Sequence, residues 1–260
     1  MRSRLGDACC TKGRRRPRPE GLSPGQLVVD QTSGVPGETR SMAERLQAQG
    51  VAMIDAPVSG GVSGVNAGTV AIMAAGPLEV YEQVLPVLSK ISPNVFRCGE
   101  RVGDAQAMKL ANNVLSAGCR AATLEVVALG RKIALSLATI TDLLNKGSGR
   151  NRTSMNLLKN MVEGKPSTAN FTLSLMLKDM SQAVQVGMEC GAPTPLTNLV
   201  RALLQSGVGQ LGANAQLDQL TTVIEGMAGT RIADTEPPAL PTAAATSQAS
   251  DLRVGYVGLG

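Results

Sequence analysis

The sequence predicts an α/β domain followed by an all-α domain, and three observations carry that expectation. Short β-branched runs alternate with helical spacing between residues 23 and 103. From Asp104 the apolar spacing is helical throughout, and a Pro/Ala/Ser/Thr-rich stretch at 234–251 reads as a linker. Aromatic residues make up only 2% of 260 residues and Trp is absent, so the cores must be aliphatic.

The first strand is "QLVVD" at 26–30, followed by the loop "TSGVPGET". Residues 38–49 have helical spacing at Met42 and Leu46 and are closed by Gly50. "VAMIDAP" (51–57) is a second strand, "GGVSGVNAG" (60–68) a glycine-rich loop and "TVAIMAAG" (69–76) a third strand. "PLEVYEQVLPVLSKI" (77–91) is a helix with Pro77 in its first turn, and "NVFRCG" (94–99) closes the layer as a strand. A long helix is expected from Asp104, interrupted by Gly118 and Gly130, with further helices at 138–145, 153–162, 172–190, 195–206 and 214–227.

This α/β part is about half the ~150 residues of a doubly wound nucleotide-binding domain, and no GxGxxG lies between residues 23 and 103. The chain closes on "RVGYVGLG" (253–260), a strand running into the first two glycines of such a motif. The third glycine and the helix that would receive pyrophosphate do not follow there.

Charge is concentrated at one end. Net charge is +5, and residues 1–20 hold seven basic residues against two acidic ones, so the remainder is neutral. The folded part therefore offers no case for a nucleic-acid partner. For the basic head, a nucleic-acid patch, an organelle-targeting segment and a disordered extension over 1–22 are the open readings. "RRRPRPEG" breaks helical periodicity and favours the disordered extension. Five cysteines without ligand-like pairing and no secretory signal fit reduced thiols in a cytoplasmic protein. The absence of His excludes imidazole catalysis and His-ligated zinc, and no metal is expected. No 18-residue apolar stretch predicts a membrane span.

Three stretches could carry chemistry. In "DAPVSGGVSGVNAGT" (55–69), Ser59, Gly60 and Gly61 place a hydroxyl beside unobstructed backbone N–H groups, a nest for a carboxylate or phosphate; a functionless flexible loop is the competing reading. Lys109 and Asn113 share one face of the long helix, and Ser116 and Arg120 continue the ridge. Without His, a lysine with a burial-depressed pKa is the available general acid/base, and a solvated helix face is the alternative. Lys178 and Asp179 sit within the apolar pattern of 171–191, on a surface ridge or facing a cleft.

"VVDQTS" (28–33), "DAPVSGGVSGVNAGT" (55–69), "GDAQAMKLANN" (103–113) and the Phe171-to-Asp179 run ending in "LKD" occur in order over about residues 25 to 230. Together they resemble the β-hydroxyacid dehydrogenase family, which includes 3-hydroxyisobutyrate, tartronate-semialdehyde and L-threonate dehydrogenases. The resemblance implies the C-terminal half of a Rossmann-type NAD(P)-binding domain at 23–103. An interdomain helix and an all-α domain like that of 6-phosphogluconate dehydrogenase follow at 104–230, with a linker at 231–251. Residues 252–260 then look like the first strand of a second dehydrogenase copy in a tandem or multidomain fusion.

The resemblance also implies roles. Lys109 matches the catalytic lysine. Ser59, Gly60, Gly61 and Asn113 match substrate-binding positions, and Thr32, Ser33 and Lys178 match positions near the cofactor, NAD or NADP. The implied substrate is a small 3-hydroxy acid, and the implied assembly a homo-oligomer formed through the helical domain. Ala105 departs from the family by standing where a glycine is expected before the lysine. Because the GxGxxG half is missing, this chain alone is expected to be incomplete as an enzyme. The alternative is a non-catalytic dimerisation or scaffold module derived from the helical domain.

Overall fold

The structure, a computed structural model, describes residues 21–166 and 170–233. The expected linker from residue 234 on, the closing "RVGYVGLG" and all but the end of the basic head lie outside the described residues. The first three residues assigned to the linker are packed instead, with Ile232 fully buried and its N–H donating to Glu225 Oε1. The described residues pack as two compact units, one drawn from residues 21–118 and 170–217, the other from 119–166 and 218–233.

The first unit contains a five-stranded mixed sheet. Strands β1 (Leu27–Asp30) and β2 (Ala52–Asp55) run parallel, with Leu27 opposite Ala52 and Asp30 opposite Asp55. Strand β4 (Ala71–Ala75) runs antiparallel to β2 and to the two-residue β3 (Val58–Ser59), and β5 (Val95–Gly99) pairs parallel to β4. Among the described residues β1 pairs with β2 alone. Alternation along the strands then sorts the core onto two faces. Ile54, Ile72 and Ala74 pack with Val84 and Leu88 of helix α3 (Leu78–Ile91). Their neighbour Met53 packs with Leu46 and Met42 of helix α1 (Pro36–Gln47) on the opposite face. Pro36 opens α1 in the first turn, where its missing N–H costs nothing.

The stretch 60–68 is not the simple loop its composition suggests. It forms a short helix α2 (Gly61–Asn66), entered through Gly60 at φ +145°. The backbone conformation of Gly60 favours glycine, and an added Cβ would stand a tight 3.1 Å from Val70 Cγ1.

Helix α4 (Asp104–Lys132) runs 29 residues, and Gly118 and Gly130 are helical within it rather than interrupting it. Its entry is fixed by Gly103, at φ +97°, where an added Cβ would lie 2.6 Å from the Pro36 carbonyl oxygen. Ala105 is fully buried against Met73, Ala75 and Cys98, so its methyl fills the helix start instead of crowding it. The first unit is completed by α7 (Leu173–Cys190) and α8 (Pro195–Leu211). Thr172 caps α7 by accepting from Leu175 N–H, and Gly191 ends it in the left-handed conformation. Helix α8 extends beyond the expected residue 206. The letters G-x-G-x-x-G do occur at residues 207–212, but they span its last turn and not a strand-to-helix turn, so they offer no phosphate cradle.

In the second unit the latter part of α4 is accompanied by α5 (Leu137–Lys146), capped by Ser136, and by a π-helical stretch (Thr153–Leu158) that runs into α6 (Lys159–Val162). A 3₁₀ turn (Leu217–Gln219) leads into α9 (Leu220–Ala228). Arg131 is fully buried and donates to the carbonyls of Arg231 and Leu135. Arg120, on the latter part of α4, pairs with Asp218. No described helix is long and apolar enough to cross a membrane. Among the described residues no cluster of His, Cys, Asp and Glu could hold a metal.

Candidate active site

The candidate residues Thr32, Ser33, Ser59, Gly60, Gly61, Lys109, Asn113 and Lys178 lie in the first unit, after β1, in β3 and the turn that follows it, near the start of α4 and along α7. The start of α4 is held from a distance. Asp55, at the end of β2 and fully buried, accepts from Gly103 N–H at 2.8 Å and Gln106 N–H at 2.9 Å. A carboxylate thus meets the positive end of the helix dipole and two of its unsatisfied donors. Burial nevertheless pushes the Asp55 carboxyl above the usual carboxylate range, opposed by these two bonds.

Lys109 is one turn beyond Gln106 and is 9% exposed. Burial lowers its pKa from the ordinary lysine value; Asp179 acts in the opposite direction and Lys178 in the same direction. A buried amine whose proton is loosened in this way is the state a general base requires.

A hydrogen-bonded chain connects the other candidates. Ser59 Oγ accepts from Asn112 Nδ2 at 3.1 Å, and the same Nδ2 lies 3.1 Å from Asn113 Oδ1. Asn113 Nδ2 donates to Asp179 Oδ2 at 2.6 Å, a buried, charge-assisted contact. Lys178 Nζ stands 2.9 Å from Asp179 Oδ1, an ion pair out of line for a hydrogen bond, and donates to the Ser33 carbonyl at 3.2 Å.

The loop after β1 is held by its own strand end. Asp30 Oδ1 accepts from Thr32 N–H at 2.9 Å and from Thr32 Oγ1 at 2.7 Å. Gln106 reaches the same loop from α4, donating to the Thr32 carbonyl and accepting from Gly34 N–H, both at 2.9 Å.

Ser59, Lys109, Asn113, Lys178, Thr32 and Ser33 therefore belong to one constellation, with Gly60 and Gly61 adjoining Ser59. Asn113 is less free than its sequence position suggests, because its amide already serves Asp179 and Asn112. Three residues of this frame escape a reading of the sequence for chemistry: Asp55, Gln106 and Asn112. The helical offsets of Gln106 and Asn112 from Lys109 were visible, but the loop partners of their side chains are distant, 72 and 74 positions away for Gln106 and 53 for the Ser59 partner of Asn112.

The described residues fit a dinucleotide at one end only. The β1 loop lies beyond the carboxyl end of a parallel strand, where open α/β sheets take ligands. The glycine turn that would cradle pyrophosphate has no counterpart among the described residues.

Known proteins match this chain over most of its described length. Residues 18–99 match the NAD binding domain of 6-phosphogluconate dehydrogenase. Residues 103–224 match the family described as NAD-binding of NADP-dependent 3-hydroxyisobutyrate dehydrogenase. The chain is 31% identical over 209 residues to 2-(hydroxymethyl)glutarate dehydrogenase of Eubacterium barkeri, a match covering 80% of this chain and 69% of that protein. It is 34% identical over 184 residues to 3-hydroxyisobutyrate dehydrogenase of Pseudomonas aeruginosa, covering 68% of this chain and 61% of that protein. Among solved structures, Mycobacterium tuberculosis 3-hydroxyisobutyrate dehydrogenase with L-serine superposes with a TM-score of 0.67 at 25% identity, over 77% of this chain and 70% of that one. The chain thus carries a Rossmann-like NAD(P)-binding domain followed by a helical domain, and it belongs to the β-hydroxyacid dehydrogenase family.

Proposed function

We propose that this chain carries the substrate and proton-transfer half of an NAD(P)-dependent dehydrogenase acting on a small 3-hydroxy acid. The observation that carries this reading is the buried Lys109, its proton loosened by burial, beside the Ser59–Asn112–Asn113–Asp179–Lys178 network.

When bound, the nicotinamide supplies the hydride acceptor. The protein's own part is positioning and proton transfer. Ser59 and the backbone of Gly60 and Gly61 receive the substrate carboxylate. The neutral amine of Lys109 takes the hydroxyl proton as the carbinol becomes a carbonyl. Asn113, fixed by Asp179, holds the hydroxyl against Lys109, so two grips on one small molecule set its orientation. Thr32, Ser33 and Lys178 line the nicotinamide end of the cofactor, NAD or NADP.

The boundary near residue 103 marks the junction of the two modules. In support, the two family matches meet there, although the compact packing units cut across it. No pyrophosphate turn occurs among the described residues, and the chain spans 69% and 61% of the two curated relatives. We therefore infer weak cofactor binding and low turnover for this chain alone. Homo-oligomerisation through the helical domain remains part of the proposal.

The test is reduction of NAD⁺ and NADP⁺ with a panel of 3-hydroxy acids, alongside Lys109→Met. Removing a general base is expected to lower the rate by roughly 10²–10⁴-fold with cofactor binding retained. Equal rates in the two proteins would remove Lys109 from the chemistry.

A further inference from the structure

Gln106 is fully buried although its side chain is polar. Its side-chain amide spans the loop after β1, with Nε2 on the Thr32 carbonyl and Oε1 on the Gly34 N–H, each at 2.9 Å. The amide thus brackets Ser33, whose own carbonyl is taken by Lys178 Nζ. Its backbone N–H is committed to Asp55. Because one partner is a carbonyl and the other an N–H, the position demands a donor and an acceptor on one planar group at this length. Glutamate has two acceptors, methionine has neither function and asparagine is a methylene short. The residue lies three positions before Lys109 on the same helix face. One side chain therefore joins the loop proposed to flank the nicotinamide to the helix that carries the proposed base.

We propose that Gln106 is a positioning residue that fixes the Thr32–Gly34 loop relative to Lys109 and thereby sets the affinity for the nicotinamide end of NAD(P). This rests on the cofactor reading above, and the measurements separate the two. The full chain and its Gln106→Met and Gln106→Glu variants are compared by amide hydrogen exchange over residues 30–36 and by calorimetric titration with NADH and NADPH. Trp is absent, so calorimetry is preferable to protein fluorescence.

Gln106→Met is expected to speed exchange in the loop at least tenfold and to weaken cofactor binding about tenfold, the loss of roughly one net hydrogen bond's contribution. Gln106→Glu is expected to bind as poorly at neutral pH, because an oxygen then faces the Thr32 carbonyl. Acidification protonates that carboxyl, restores the donor and recovers binding. The charged groups around position 106 are Asp30 and Lys178 at the loop, Asp55 at its N–H, Asp104 two residues before and Lys109 one turn on. The unsubstituted chain and Gln106→Met, carrying the same groups, control for their titration.

Wild-type affinity in both variants overturns the proposal. So does a Glu variant that matches the Met variant at every pH, since the side chain would then only fill space. If the unsubstituted chain binds neither cofactor while its loop exchange still responds to Gln106→Met, the cofactor reading fails. The residue is then a loop clamp without the proposed role.

Discussion

Replacing Asp55 by Ala leaves the Gly103 and Gln106 N–H groups without the carboxylate that they share at 2.8 and 2.9 Å. Both are buried at the start of α4. Hydrogen bonds to a charged group contribute about 1.5–3 kcal/mol each, and the helix dipole adds to that. Against this loss stands relief of the desolvation that raises the Asp55 pKa. The balance is a destabilisation of about 2–4 kcal/mol, or a Tm lower by roughly 5–15 °C for a chain of this size. Asp55→Asn keeps one acceptor and is expected to cost about half as much.

The pH dependence supplies a second signature. The native carboxyl binds its proton more tightly than the unfolded one, so its contribution to stability is present at low pH. It is lost as pH rises from the ordinary carboxylate range through the raised native value. Asp55→Asn should lack that segment of the stability profile. Urea unfolding of the three proteins across pH measures both effects. A loss below about 1 kcal/mol in Asp55→Ala, at unchanged denaturant slope, would refute the claim that this carboxylate anchors the helix.

Asp179→Asn removes the charge that holds a proton on Lys109, so the limb of the oxidation rate that rises with pH is expected to move to lower pH; an unmoved limb would separate the two residues. Arg120→Ala strips the nearly buried Asp218 of an ionic partner and should cost about 3 kcal/mol by chemical unfolding, far more than an exposed pair would. Ser59→Ala leaves Asn112 Nδ2 without one acceptor and, on the proposed reading, takes a donor from the substrate carboxylate. It should raise KM for the hydroxy acid about tenfold with kcat little changed, readable in initial rates.

The sheet-and-helix order was legible because alternation of two and spacing of 3.6 are local properties. Lys109 and Asn113 could be paired from their offset alone. The frame around them could not, because Asp55 and Gly103 are 48 positions apart and Asn113 and Asp179 are 66 apart. Nothing in either stretch announces the other. The region 60–68 misled in a different way. Its glycines suggest a loop, yet only Gly60 and Gly61 at its entry and Gly68 at its exit adopt positive φ, and the residues between Gly61 and Gly68 coil into α2. Gly207 and Gly209 likewise failed to stop α8, whose packing outweighs the modest cost of glycine in a helix.

Gly103 gives this molecule a fault line that no inspection of side chains would find. The first turn of α1 occupies the space that a Cβ there would need, and the anchor of α4 takes its N–H. Any substitution there must move one of the two helices. Because the loop before α1 and the lysine on α4 are the proposed halves of the site, the shift would be read as lost chemistry. A mutational scan should therefore flag position 103 among the functional residues, although it contributes no atom to the reaction.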